Sequence, residues 1–131
     1  MYKTILVNRA IEDGEKLVER LERKQFPVSA AFWRYLDEDM LWRLLIVSPV
    51  VDQEGPLRSY MHVTDAIDEL GSSVQFGVSD VSVMGPSWTQ FQDLRRTIES
   101  AGVGRIKAAG QPGTPQGIAF EDFYIYRWNL N

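Results

Sequence analysis

The sequence predicts an α+β domain: a single mixed, mainly antiparallel sheet of about five strands with about three helices packed on it. Three observations carry that expectation. Stretches with helical apolar spacing alternate with short runs rich in β-branched and aromatic residues, the pattern of helices laid on a sheet. The best hairpin candidate is apolar on both faces, so both sides of the sheet need cover. The 131 residues, 44% hydrophobic and 24% charged, suit one core, and residues 1–131 are read as a single domain.

Over residues 4–24, Leu6, Ala10, Leu17 and Leu21 fall on one side of a helical wheel with Val7 and Val18 beside them, which predicts an amphipathic helix. Gly14 lies on its apolar side and costs ~1 kcal/mol of helix propensity relative to alanine. It marks either a close approach to the sheet or a break near Asp13; with a break, residues 2–7 become a short strand. Phe26-Pro27 ends the helix, because the residue before proline avoids the α region. Residues 28–36 and 40–47 predict a hairpin turning at Asp37-Glu38-Asp39. Pairing Leu36 with Met40 places Phe32, Arg34, Trp42, Leu44 and Ile46 on one face, and Trp33, Tyr35, Leu41, Arg43, Leu45 and Val47 on the other. Both faces are largely apolar, so a slip exposes nothing and the register is weakly fixed.

Residues 48–56 read as a loop, with Pro56 opening a helix whose inner side is Leu57, Tyr60, Val63, Thr64, Ile67 and Leu70 and which Gly71 closes. Residues 78–84 form a strand. Ser87-Trp88-Thr89-Gln90 is a capping box ahead of Phe91, Leu94, Ile98 and Ala101 at helical spacing, and Gly102 stops that run. Residues 103–107 suggest a short strand, and residues 108–117, with three glycines and two prolines, a loop. Residues 118–128 form the final strand.

Fourteen Lys and Arg against 18 Asp and Glu give a net charge of −4, which draws the chain toward neither nucleic acid nor anionic lipid. The absence of cysteine excludes disulfides, thiolate metal sites and thiol nucleophiles. No run approaches ~20 apolar residues and the start carries no signal-peptide pattern, so a cytoplasmic location without a membrane partner is expected. The charge is unevenly spread. Residues 59–93 hold Asp65, Asp68, Glu69, Asp80 and Asp93 with no Lys or Arg, whereas Arg95, Arg96, Arg105, Lys107 and Arg127 follow.

Four constellations bear on chemistry. Leu70-Gly71-Ser72 followed by Asp80-Val81-Ser82-Val83 resembles the nucleotidyltransferase signature, in which a Gly-Ser turn holds triphosphate and paired aspartates hold two magnesium ions; here Ser82 replaces the second acid, and Glu121 and Asp122 are candidates for a third. His62, Asp65 and Glu69 share a helix face on which Arg58 competes for the carboxylates. Arg105 and Lys107 flank the glycine-rich stretch and are candidates to hold a small anion with the backbone of Gly110 and Gly113. In the final strand Ile118, Phe120, Asp122, Tyr124, Tyr126 and Trp128 share one face, an aromatic stripe matched by Trp33, Tyr35 and Arg43 on the hairpin.

The segments Ala30-Ala31-Phe32-Trp33-Arg34-Tyr35-Leu36, Trp42-Arg43-Leu44-Leu45-Ile46-Val47-Ser48-Pro49 and Glu121-Asp122-Phe123-Tyr124-Ile125-Tyr126-Arg127 resemble a group of small uncharacterised bacterial α+β proteins. That resemblance implies no activity, substrate or site. The expectation is a noncatalytic interaction or ligand-binding domain with no cofactor and no metal, pairing as a homodimer or with another protein. Its binding residues would be Trp33, Tyr35, Arg43, Tyr124, Tyr126 and Trp128, with Arg105 and Lys107 for a small anionic ligand. The alternative is a small metal-dependent enzyme acting on a nucleotide-like or phosphorylated compound through Asp80 with Glu121 or Asp122.

Overall fold

Both faces of the central hairpin are apolar, and in the computed structural model, which describes residues 6–101, 117–120 and 122–130, the chain covers both of them. Strands β1 (Ala30–Leu36) and β2 (Leu41–Val47) form the hairpin, with Leu36 opposite Leu41. Strand β3 (Val81–Met84) runs parallel to β2, whereas β4 (Ile118–Phe120) and β5 (Phe123–Trp128) pair antiparallel and β5 joins the free side of β1. The result is one five-stranded mixed sheet in the order β3-β2-β1-β5-β4. Helices α1 (Asn8–Arg23), α2 (Pro49–Glu54) and α3 (Pro56–Leu70) lie on one face and bury Leu17, Val18, Leu21, Val50, Val51, Val63 and Ala66. Helix α4 (Thr89–Ala101) covers the other with Phe91, Leu94 and Ile98. The α+β class, the mixed sheet and its three long helices follow the sequence expectation.

Several local expectations are corrected. The hairpin turn takes in Met40, whose φ of 52° is left-handed, so β2 slips by one residue: Trp42, Leu44 and Ile46 share a face with Trp33 and Tyr35, while Arg43, Leu45 and Val47 share the other with Phe32 and Arg34. An apolar residue replaces an apolar residue at nearly every position, which is why the pattern did not specify the pairing. The predicted loop at 48–56 holds α2: the Ser48 hydroxyl accepts from the Val50 N–H and Pro49 occupies the first turn, a start signal rather than a break. Leu57 is 75% exposed, and Ser59 takes the inner position instead. The Ser87 hydroxyl does not cap α4; it donates to Asp52 Oδ1 at 2.7 Å and ties α2 to the approach of α4. The strand predicted at 78–84 begins with a 3₁₀ turn, Val78–Asp80. The single final strand is two, because the chain reverses between Phe120 and Phe123. The short strand at 103–107, most of the loop at 108–117 and most of residues 2–7 lie outside the described residues.

The aromatic stripe is also broken. Ala31 pairs with Arg127 but Phe32 pairs with Ile125, so a bulge at Tyr126 inserts one residue into β5. Tyr126 and Arg127 both turn toward α1, where they bond to Ile11 and to Glu15 and Glu22, while Trp128 turns to the opposite face against Phe32 and Phe91.

The helix α1 is continuous through Gly14, which is the close approach and not a break. Trp33 Nε1–H donates to the Tyr126 hydroxyl at 2.8 Å, and that hydroxyl donates to the Ile11 carbonyl at 2.6 Å, directly beneath Gly14. A Cβ at Gly14 would lie 2.3 Å from Tyr126 Oη and 3.0 Å from Trp33 Nε1. The ~1 kcal/mol of helix propensity gained by Gly14→Ala is therefore outweighed by overpacking against two buried rings. Chemical denaturation is expected to show Gly14→Ala destabilised by up to about 2 kcal/mol, the overpacking cost less the propensity gained. The control Gly77→Ala, at φ −114° with nothing within 4 Å of its added Cβ, is expected to be near neutral.

Candidate functional site

The segment between α3 and β3 forms no strand although Val74, Phe76 and Val78 alternate with Gln75 and Gly77, and α1 holds it in place through charged side chains. Arg9 Nη2 and Lys16 Nζ each donate to the Ser73 carbonyl at 3.1 Å. Asp13, 1% exposed, accepts from Arg9 Nε at 2.9 Å through Oδ1 and from the Gln75 backbone N–H at 2.8 Å through Oδ2. A buried carboxylate costs little only when both oxygens are satisfied, and here both are. Fixing Gln75 seats the neighbouring Phe76 ring 5.9 Å from Trp33 at an interplanar angle of 88°. The far end of the segment is held by Asp80 Oδ2, which accepts from the Gly77 N–H at 2.9 Å, and by Arg43 Nη1, which donates to the Ser79 carbonyl at 3.0 Å.

These anchors leave a cleft of about 380 Å³ between the start of α1, the hairpin and the segment. Leu6, Val7 and Ala10 line it from the helix, Trp33, Leu41 and Trp42 from the strands, and Gln75 and Phe76 from the segment, with Arg9, Asp13 and Asp80 as its ionisable groups. Such a size, with mostly apolar walls and few polar groups, is that of a small-molecule site.

The residues singled out in the sequence are mostly used elsewhere. Trp33, Tyr35, Tyr126 and Trp128 are 3%, 7%, 0% and 8% exposed, buried within this one chain, so the aromatic strand faces are not open surfaces. Tyr124 is half-buried against Tyr126, their ring centroids 5.2 Å apart. Arg43 serves the segment, reaching Ser79 and Ser82. Arg105, Lys107 and Glu121 lie outside the described residues. Asp80 and Asp122 stand three strand spacings apart in the sheet order, about 14 Å. Ser82 lies within 3.5 Å of Arg43. His62 is exposed and packs on the Phe26 ring at 5.3 Å, and Glu69 binds Arg20 and Lys24 at 3.0 and 2.6 Å. Among the described residues no three His, Cys, Asp or Glu side chains cluster as metal ligands.

Sequence reasoning found Trp33 but missed the cleft as a unit, because Leu6, Trp42 and Phe76 are distant in the chain and their meeting depends on Asp13 and Arg9 gripping a segment more than 60 residues away. The one available signal was the i,i+4 pair of guanidinium and carboxylate at Arg9 and Asp13, with Lys16 on the same flank of the helix. Comparison with protein-family models, with curated proteins and with solved structures returns no match.

Behind the cleft the core electrostatics are strongly biased. Burial pushes the Tyr126 phenol far above its ordinary value, a shift that the Trp33 hydrogen bond only partly opposes; burial and the nearby Glu15 charge also raise Tyr124. Burial likewise raises Glu15, although Arg127 donates to its Oε1 at 3.0 Å, since Oε2 is buried without a partner among the described residues. A phenol harder to ionise when folded contributes stability that is complete below the unfolded value of about 10 and is lost as pH rises past it. Stability measured by urea titration is therefore expected to fall between about pH 9 and 11. Tyr126→Phe should cost about 1–3 kcal/mol at neutral pH by orphaning Trp33 Nε1–H, and should make the alkaline fall shallower by up to ~1.4 kcal/mol per pH unit.

Proposed function

We propose that this is a noncatalytic binding domain that holds a small ligand in the aromatic cleft between α1, the hairpin and the 71–80 segment. The observation that carries the reading is the meeting of Trp33, Trp42 and Phe76 around a volume of about 380 Å³ that the described residues leave open. The ionisable groups favour binding over chemistry. Asp13 and Arg9 neutralise each other and hold backbone, and Asp80 holds the Gly77 N–H, so their polar atoms position walls rather than a reacting centre. The enzymatic alternative pairs Asp80 with Glu121 or Asp122; Glu121 lies outside the described residues, and the sheet order sets Asp80 and Asp122 on opposite sides of β2 and β1.

This form of the reading does not need self-association, since Trp33 and Tyr126 are packed under α1 and Trp128 under α4. Light scattering after size exclusion is expected to give the 15.0 kDa monomer; a dimer would point to a different surface as the binding element.

The cleft itself is tested with an apolar probe that fits it, 3,3-dimethylbutan-1-ol, followed by indole N–H shifts in two-dimensional NMR. Saturable shifts at Trp33 and Trp42 are expected, weakened about tenfold or more in Trp42→Ala as an aromatic wall and its buried area are lost. A thermal melt of the variant separates loss of the wall from loss of the fold. No saturable shift in the parent chain refutes the reading.

A further inference from the structure

We propose that Glu15 is the proton-binding element of a clamp between α1 and β5, and that mild acid, by neutralising Glu15, tightens the seat of the helix on the sheet. The clamp does not depend on the cleft holding a ligand.

It is built from one cation and two anions. Arg127 on β5 reaches two carboxylates of α1, Glu15 and Glu22, which stand about two helical turns apart. Glu22 takes the better geometry: Arg127 Nε donates to its Oε2 and Nη2 to its Oε1, each at 3.1 Å, the paired bonds that suit a guanidinium and a carboxylate. Glu15 receives a single bond, from Nη2 to Oε1 at 3.0 Å, while Nη1 donates to the Tyr126 carbonyl at 3.1 Å. One guanidinium balances one carboxylate, so a negative charge is left over, and Glu19, also on α1, repels Glu15 further.

That surplus falls on Glu15. Its Oε2 is buried without a partner among the described residues, and its side chain is 16% exposed against 37% for Glu22. Water reaches Glu22 but not the bare oxygen of Glu15. A charged oxygen without a partner in the interior costs far more than a neutral O–H without one. A proton on Oε2 therefore removes the surplus charge where it is most costly, and Oε1 goes on accepting from Arg127. The other titratable groups facing Glu15, Tyr124 and Tyr126 on β5, are phenols that burial keeps neutral, so they bring no charge to offset it. Burial accordingly lifts Glu15 above the usual carboxylate range against the pull of Arg127, and repulsion from Glu19 and Glu22 adds to the lift.

A carboxyl that binds its proton more tightly when folded contributes stability that is complete below the unfolded value of 4.5 and is lost as pH rises through the folded one. The clamp thus loosens toward neutral pH. Glu69 is separated from it by sign: its bonds to Lys24 and Arg20 hold it below the usual range, so its contribution is lost only as pH falls below that window.

The experiment follows the Glu15 side-chain carboxyl carbon of the full chain by NMR over about pH 3 to 8, with urea unfolding over the same range for the parent and for Glu15→Gln, which keeps an oxygen for Arg127 and cannot ionise. The carboxyl carbon is expected to titrate above the ordinary value of 4.5. The folding equilibrium constant of the parent divided by that of Glu15→Gln is expected to rise several-fold as pH falls from about 8 to 5, groups common to both chains, His62 included, cancelling in the ratio. Glu22→Gln leaves Arg127 to Glu15 alone and should move the Glu15 midpoint to lower pH. A Glu15 that titrates at or below the ordinary value, a flat ratio, or a midpoint that Glu22→Gln leaves in place overturns the clamp; the titration of the parent is decisive by itself should a variant not fold.

Discussion

The structure depends on how closely α1 can sit on the sheet, and that distance is set by the absence of a side chain at Gly14. Only a bare Cα leaves room for the Tyr126 hydroxyl to reach the Ile11 carbonyl while accepting from Trp33. Those bonds remove from the core a phenol and an indole N–H that would otherwise each cost about 1–3 kcal/mol as unsatisfied buried groups. The bulge in β5 serves the same contact, since it lets consecutive residues Tyr126 and Arg127 both face the helix. Arg127 then grips Glu15 and Glu22 on α1, at 14% exposure, where guanidinium–carboxylate pairs are worth more than at an open surface. The bonds of Glu69 to Arg20 and Lys24 hold Glu69 below the usual carboxylate range, but that carboxylate is open to solvent, so the seating of α1 on the sheet and not this α1–α3 bridge fixes the helix.

Everything on the outer side of the helix inherits that position. Arg9, Asp13 and Lys16 lie on one flank at helical spacing and meet the carbonyl of Ser73 and the N–H of Gln75. A helix displaced outward by the width of a methyl group would carry these partners beyond hydrogen-bond range, and Phe76 would lose its place over Trp33. The seat of α1 thus links the core to the cleft: Trp33 anchors the helix with its N–H, and its buried ring backs the site.

How much of this was legible in the sequence depends on the range of the interaction. The three long helices and the hairpin strands follow from local apolar period, and the class followed with them. Gly14 was readable as an anomaly, a costly residue on an apolar stripe, and its meaning required knowing what lay opposite. The hairpin register was not readable, because Phe32, Trp33, Leu44 and Leu45 are all apolar and a one-residue slip exchanges like for like. The aromatic stripe in the last strand failed for a different reason: strict alternation presumes an unbroken ladder, and the bulge sends Trp128 to the face opposite Tyr124 and Tyr126. The cleft was the least legible, since its walls are joined by a buried carboxylate reaching from Asp13 to Gln75.

The place where the cleft forms follows from a mismatch of strand lengths. Strand β3 pairs only with Leu44–Val47, so Leu41, Trp42 and Arg43 extend past the last ladder of that edge. At the paired part the edge is shielded, with the Tyr60 hydroxyl 3.4 Å from the Val83 N–H. At the unpaired part the chain supplies a bonded loop instead of a strand, Arg43 reaching the Ser79 carbonyl, and a loop does not fill the space a strand would. The large aromatics of the hairpin divide at that boundary: Trp33 lies inside it with its polar tip satisfied, and Trp42 lies across it, half-buried. A core residue and a wall residue two positions apart on neighbouring strands are therefore the natural floor of a site, built where the sheet runs out of strand.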